Sequence, residues 1–169
     1  EWIKYTGNTT AYTGTFSTNA DAVTLNAKAA AYVKKKVTVQ EGTKISMDVK
    51  MPTIVDGGLV QNAFGLASVE NTFHNADVTA TGTTLVTELV SVGTATTLTA
   101  GGSIRLPGGS RVPNVPKPET LTNGRANIST TTYNITFEKQ AATSDNSWVM
   151  TAKEDKENGN TVTMNVPKD

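Results

Sequence analysis

The chain has 169 residues, and its 15 basic side chains balance 15 acidic ones, which excludes the strong net charge that draws proteins to nucleic acids or acidic membranes. It has no cysteine, which excludes disulfides, cysteine zinc sites and thiol catalysis. About thirty residues are threonine, whose branched side chain suits a half-exposed pleated surface, so the composition predicts an all-β protein.

The length fits a single domain over residues 1–169. No run of about eighteen apolar residues is present, so we expect no membrane insertion. We recognise no signal-peptide pattern, and we interpret the start at Glu1 and Trp2 as a domain boundary. With the threonine-rich, cysteine-free composition, this start favours a domain cut from a larger extracellular or cell-surface protein, with flanking domains.

Strands are predicted wherever apolar and polar residues alternate, or where short apolar runs lie between Gly, Asn and Asp. In chain order these segments are Thr13–Thr18, Ala22–Asn26, Val33–Val39, Lys44–Met51, Asn62–Val69, Tyr133–Glu138, Trp148–Lys153 and Thr161–Val166. Two stretches, Asn26–Lys36 and Thr84–Val92, also have helix-forming residues or helical spacing. In a chain that is otherwise β, we expect strands there or one short surface helix.

The apolar side of each strand predicts the core. Its members are Ile45, Met47, Val49, Phe64, Leu66, Tyr133, Ile135, Phe137, Trp148, Met150, Val162 and Met164. Between the last two strands, Asn158 and Gly159 predict a tight hairpin in which both turn residues have positive φ.

Residues 101–118 (GGSIRLPGGSRVPNVPKP) hold four of the six prolines and four glycines, so they predict a long Gly/Pro-rich loop or flap. The many short strands and frequent turns predict two antiparallel sheets packed face to face as a β-sandwich.

Catalytic motifs are missing from the sequence. His74 is the only imidazole, and there is neither a Gly-x-Ser-x-Gly elbow nor a phosphate-binding loop. Paired carboxylates must share one strand face, but Glu154 and Asp155 are adjacent, while Asp155 and Glu157 lie at the hairpin mouth. We expect these three to be solvated turn charges, and we expect no enzyme activity.

The segment from Glu70 to Asp77 (ENTFHNAD) concentrates oxygen and nitrogen groups after a predicted strand. Carboxylate and amide oxygens suit calcium, which makes Glu70, Asn71, Asn75 and Asp77 candidate metal ligands. A polar turn with Asx-type backbone bonds explains the same residues.

A ligand site is predicted near this segment, through Asn71 and His74, together with exposed aromatic side chains. Trp2 and Tyr5 precede the first clear strand and are free to be exposed, whereas Trp148 alternates in phase with Met150 and is expected in the core. The lysines at 34–36 fit a charged edge strand that blocks aggregation, or an anion site.

Several segments follow one another as in a known superfamily: TGTFST, AVTLNA, KISMDVKM, QNAFGLASVENTF, and the closing pair YNITFEKQ and SWVMTAKED. This series resembles the concanavalin A-like jelly-roll superfamily of lectins and glucanases. The glucanase motif Glu-x-Asp-x-x-Glu is absent, so the resemblance implies the fold without that activity. The lectins' metal-binding run looks shortened in Val69–Asn75, which lacks one residue and the key Asp.

These features predict a non-catalytic carbohydrate-binding or adhesion module whose partner is a glycan or another surface ligand. The alternative is a purely structural β domain, such as a stalk, surface-layer or phage-particle component, that acts through protein–protein contacts.

Overall fold

The structure is a computed structural model that describes residues 2–4, 14–26, 31–33, 37–50, 60–67, 84–91, 98–105, 119–121 and 130–168. The described residues form strands and turns and contain no helix, so the predicted all-β class is confirmed. In chain order the strands are β1 (Trp2–Lys4), β2 (Thr15–Thr18), β3 (Val23–Asn26), β4 (Ala31–Val33), β5 (Lys44–Lys50), β6 (Val60–Ala67), β7 (Thr84–Ser91), β8 (Leu98–Arg105), β9 (Glu119–Leu121), β10 (Thr132–Lys139), β11 (Asn146–Glu154) and β12 (Thr161–Pro167). Nothing among these residues is a helix long and apolar enough to cross a membrane.

Two four-stranded antiparallel sheets contain most of the strands. The first, here called the core sheet, has the order β12-β11-β10-β5, and the second has the order β6-β7-β8-β9. Strands β1 and β4 form one two-stranded ladder, and β2 and β3 form another. Every pairing is antiparallel, as expected for short strands joined by turns.

One face of the core sheet carries the buried core. Its cluster consists of Tyr133, Ile135, Phe137, Met150, Ala152, Val162, Met164 and Val166. These residues lie at every second position of β10, β11 and β12, so the period-two pattern in the sequence does mark the buried face. Phe64 and Leu66 of β6, in the second sheet, pack against this cluster.

Burial decreases at the margins of this core. Half of the predicted core residues are only partly buried: Ile45, Met47, Val49, Phe64, Leu66 and Trp148. The first three lie on β5, which has a strand neighbour in the described residues on one side only. β12 lies at the other edge of the same sheet, but β8 and β9 of the second sheet approach it, and its Val162, Met164 and Val166 are buried. Burial at an edge therefore follows cover by the second sheet and not the number of flanking strands.

The hairpin between β11 and β12 exists, but its predicted turn is wrong. Asn158 has a φ of 57°, whereas Gly159 does not have a positive φ. The Gly159 N–H donates to the Lys156 carbonyl at 3.0 Å, so Asn158 is the third residue of that turn, where a type II turn requires positive φ. Gly159 is needed for space instead, because a Cβ there would collide with the Glu154 backbone oxygen.

Two other sequence predictions need correction. The expected strand Val33–Val39 is wrong for residues 37–39, which form no ladder, while residues 34–36 lie outside the described residues. The turn that follows is closed by the Thr43 N–H and the Gln40 carbonyl and has positive φ at Gly42. The predicted loop at 101–118 begins too early, because residues 101–105 belong to β8 and pair with β7. Residues 106–118 lie outside the described residues.

The ambiguous stretch Thr84–Val92 is a strand, β7, over Thr84–Ser91. It pairs with β6 on one side and β8 on the other, so its backbone groups are satisfied by neighbours on both sides. Tertiary pairing therefore overrides the helical spacing of its leucines and valines.

Truncation of Phe137 to Ala should reduce the free energy of unfolding by about 3–5 kcal/mol, because the side chain is fully buried in the centre of the cluster. Chemical denaturation with urea measures the change. Thr163→Ala, at an exposed position on β12, serves as the control and should change stability by less than about 0.5 kcal/mol. A loss under about 1 kcal/mol for Phe137→Ala would contradict the assigned strand phase.

Candidate ligand-binding surface

Only one of the sequence-predicted site residues falls within the described part of the chain. Trp2 is in β1, partly buried, and is paired with Val33 of β4. The other ligand and metal candidates lie outside the described residues: Tyr5, Glu70, Asn71, His74, Asn75 and Asp77. The described residues contain no group of three or more His, Asp or Glu side chains able to hold a metal ion.

The second face of the core sheet, here called the open face, is polar. It is lined by the residues of the four strands that alternate with the core residues. They are Lys44, Ser46, Asp48, Lys50, Thr132, Asn134, Thr136, Glu138, Val149, Thr151, Lys153, Thr161, Thr163 and Asn165.

Cross-strand register arranges these residues in rows. One row runs across all four strands and consists of hydroxyl side chains: Ser46, Thr136, Thr151 and Thr163. Neighbouring strands are about 4.8 Å apart, so the row is a regular series of hydroxyl groups. The adjacent row reads Asp48, Asn134, Lys153 and Thr161, and combines a carboxylate, an amide and an amine.

Hydrogen bonds connect the two rows. Ser46 Oγ and Thr136 Oγ1 are 3.0 Å apart, and the Thr136 hydroxyl donates to Asn134 Oδ1 at 2.9 Å. Asn134 Nδ2 then donates to Asp48 Oδ1, also at 2.9 Å. The chain of bonds holds these four side chains in defined orientations, which lowers the conformational entropy that a ligand contact would cost.

The open face has no aromatic residue among its described positions. Tyr133, Phe137 and Trp148 all lie on the opposite, core-facing side of the sheet. Trp148 packs against the core cluster, as predicted, and the Lys139 Nζ lies 5.6 Å from the centre of its ring, within cation–π distance. The described open face therefore offers hydrogen bonds and charge to a ligand, but no ring for stacking.

Glu154 is an acidic residue at the end of the core face. Glu154 is fully buried, which contradicts its predicted role as a solvated turn charge, whereas Asp155 and Glu157 are exposed as predicted. Its Oε2 is 3.0 Å from Lys156 Nζ, and Glu154 has further contacts. Since a buried carboxylate is costly without compensation, this ion pair offsets part of its desolvation.

The sequence contains a signal that could have located Glu154. Met150, Ala152 and Glu154 continue the same period of two, so the carboxylate is in phase with the core side of β11. Its partner across the β10–β11 ladder is Tyr133, which is also buried. Burial raises the pKa of Tyr133 above its ordinary value of 10.0, the negative charge of Glu154 raises it further, and a hydrogen bond with Thr131 lowers it in part.

The sequence reasoning missed the open-face network of Ser46, Asp48, Asn134 and Thr136. Each residue was visible as the polar member of an alternating strand. Their proximity, however, depends on the pairing of β5 with β10, which are separated by more than eighty residues in the chain. Short-range patterns do not contain that information.

Comparisons with protein-family models, with curated proteins and with solved structures found no match to this chain. The chemistry of its surfaces must therefore be inferred from its own residues. The open face offers hydroxyl donors and acceptors, the amides of Asn134 and Asn165, and charges of both signs on a hydrogen-bonded support. Such a surface can bind a neutral, polyhydroxylated ligand by hydrogen bonds.

Alkaline pH provides a test of the Tyr133–Glu154 pair. Because the pKa of Tyr133 is higher in the folded than in the unfolded state, its stabilising contribution is fully present below the unfolded-state pKa of about 10. It is lost as the pH rises through the folded-state value. The free energy of unfolding of the natural chain should fall above pH 10, and Tyr133→Phe should make that fall shallower by up to about 1.4 kcal/mol per pH unit.

Urea denaturation at a series of pH values between about 8 and 11 measures both slopes. Tyr133→Phe keeps the ring and removes only the ionisable hydroxyl, so the comparison isolates that group from other tyrosines and lysines. Identical slopes for the two proteins would contradict the raised pKa of Tyr133.

Proposed function

We propose that this protein is a non-catalytic carbohydrate-binding or adhesion module of a secreted or cell-surface protein. The observation that supports this function is the pair of polar rows on the open face, hydroxyls in one and Asp48, Asn134 and Lys153 in the other. Sugars present rows of hydroxyl groups that both donate and accept, and a carboxylate beside an amide can bond neighbouring hydroxyls of one ring.

Affinity on such a surface is modest. Each neutral hydrogen bond exchanged with water contributes only about 0.5–1.5 kcal/mol, so several are needed for useful binding. A flat, repeating surface suits a polymer or a densely displayed glycan, where many weak contacts add through multivalency.

The proposal includes a second set of ligand contacts, which the sequence predicts at Trp2, Tyr5, Asn71 and His74. Of these, Trp2 lies on β1 and is partly buried. An aromatic ring from this set would supply the stacking that the described open face lacks.

The same proposal includes a jelly-roll-like β-sandwich related to the concanavalin A-like superfamily. It is supported by the packing of Phe64 and Leu66 against the core cluster and by the approach of β12 to β8 and β9 within 8 Å between Cα atoms. Two antiparallel sheets that share one apolar core are the defining feature of that arrangement.

A structural role is the second candidate, and one observation favours it. The four central polar groups of the open face already bond to one another, and Thr136 is only 5 % exposed. Groups satisfied in this way have less capacity for a ligand and more value as support for a rigid stalk, surface-layer or particle component.

Glycan binding distinguishes the two candidates. We expect the natural chain to bind one or more glycans in an array screen, and Asn134→Ala or Asp48→Ala to weaken the best binder by about threefold to tenfold in isothermal titration calorimetry. Thr24→Ala, an exposed threonine of β3 outside the open face, should leave the affinity unchanged.

Three outcomes contradict this proposal in different ways. Failure of the natural chain to bind any glycan removes the carbohydrate function and leaves the structural role. Binding that neither variant weakens places the site away from the open face. Release of sugar fragments from a polysaccharide contradicts the non-catalytic assignment.

We also propose that Glu70, Asn71, Asn75 and Asp77 bind calcium, because carboxylate and amide oxygens are the donors that this ion prefers. A bound ion should raise the melting temperature in calcium and lower it in chelator, because binding to the native state alone stabilises it. Asp77→Asn should reduce that shift, whereas Asp155→Asn, an exposed turn carboxylate, should not. A melting temperature indifferent to calcium leaves a polar turn at this segment.

A further inference from the structure

Strand β5 presents half of its backbone groups away from the core sheet. The Lys139 N–H donates to the Thr43 carbonyl at 2.9 Å, which identifies Thr43 and Lys139 as a hydrogen-bonded pair. By the alternation of an antiparallel ladder, Ile45, Met47 and Val49 also bond towards β10. The N–H and C=O groups of Lys44, Ser46, Asp48 and Lys50 therefore point to the other side.

No strand of the described region pairs with that outer side. The segment at 37–40 comes closest along the chain, since a turn closed by the Thr43 N–H and the Gln40 carbonyl joins it to β5. It forms no ladder, and Val37 and Val39 are 48 % and 44 % exposed. An edge strand with free backbone groups is a template for pairing with another chain.

Apolar side chains at this edge are incompletely covered as well. Ile45, Met47 and Val49 project to the core side but are only partly buried, unlike their neighbours on β10. A strand added at the edge would place its own apolar side chains beside them, as cross-strand neighbours on the same face. A strand with matching alternation would therefore pair with the outward backbone groups and also contact the partly buried side chains.

The charges on β5 favour one register between two copies of this strand. If two copies of β5 pair antiparallel about a two-fold axis at Ser46, Lys44 of each copy lies opposite Asp48 of the other, and Ile45 lies opposite Met47. An axis at Met47 would place Lys44 opposite Lys50, and an axis at Asp48 would place two aspartates together. Like charges directly opposite destabilise a ladder, so the register centred on Ser46 is favoured among the three that pair five or more residues of β5.

The same register has a consequence for the open face. It places Ser46 beside Ser46 of the second copy, so the row Ser46, Thr136, Thr151 and Thr163 continues directly into its equivalent. Two four-strand sheets would become one eight-strand sheet with a single row of eight hydroxyl side chains.

We propose that β5 pairs edge to edge with β5 of a second copy of this chain, in the antiparallel register centred on Ser46. The interface is isologous, as two-fold symmetry requires, and two Lys44–Asp48 pairs specify its register. It does not depend on the carbohydrate-binding proposal, since the edge and its charges exist whatever the open face binds.

Charge reversal tests the register directly. In sedimentation velocity from about 1 μM to about 500 μM, the natural chain should form a dimer. Lys44→Asp and Asp48→Lys should each weaken the dimer by about tenfold or more, because each replaces two attractive pairs by two repulsive ones. The double variant should restore dimerisation, and an equimolar mixture of the two single variants should form a heterodimer.

Lys50→Asp is the matched control, since Lys50 faces Gly42 in this register and makes no charged pair. It should leave dimerisation unchanged, whereas in the register centred on Met47 it would create two attractive pairs and strengthen the dimer. Circular dichroism checks that each variant is folded, because Lys44 also lies opposite Glu138 within its own sheet.

Should a charge reversal unfold the chain, Ser46→Pro examines the same edge. The Ser46 N–H points outward, so proline removes a donor from the interface and none from the β10 ladder. We expect a folded monomer.

A natural chain that is monomeric throughout the concentration range would overturn the proposal. This result would leave the edge to another part of its own chain, such as residues 37–40. A dimer that resists both single reversals, or one that the double variant fails to restore, would overturn it as well.

Discussion

The pairing of β10 with β5 on one side and β11 on the other is the constraint on which the rest of the described structure depends. Tyr133, Ile135 and Phe137 lie on one side of β10 and are almost completely buried, while Asn134 and Thr136 lie on the other. Since side chains alternate strictly along a strand, a slip of one residue would exchange the two sets. Burial of the apolar set therefore determines which polar residues form the open face.

This constraint also explains why polar groups occur where they do. On the open face, Ser46, Thr136, Asn134 and Asp48 meet because β5 and β10 are in that register, and they satisfy one another by hydrogen bonds. On the core face, Glu154 follows the period of the apolar residues and is buried beside Tyr133. There the ion pair with Lys156 compensates the carboxylate that the strand phase places in the core.

The two proposals concern the same sheet and share Asp48. Glycan binding would use the rows that cross the sheet, whereas pairing with a second copy would use the backbone of β5 and the charges of Lys44 and Asp48. They are linked by geometry, because strands added at the edge lengthen the rows. A longer row offers more simultaneous contacts to a repeating ligand, so pairing would increase avidity without a change in any single site.

The sequence by itself determined the all-β class, the strands of the core sheet and the phase of its buried face, because a period of two is a local property of a strand. Only the tertiary structure decided which strands are neighbours and what each turn does. The segment at 37–40 alternates like a strand but forms no ladder with the described residues. Gly101 and Gly102 lie in β8 because β7 accepts and donates the ladder bonds.

The same division applies to the candidate sites. Glu154 could have been assigned to the core side from its phase with Met150 and Ala152, but its compensation by Lys156 required the folded turn. The open-face network required the β5–β10 register, which joins residues more than eighty positions apart. Contacts of that kind arise from burial of a shared apolar face, a non-local free energy that no short segment of sequence contains.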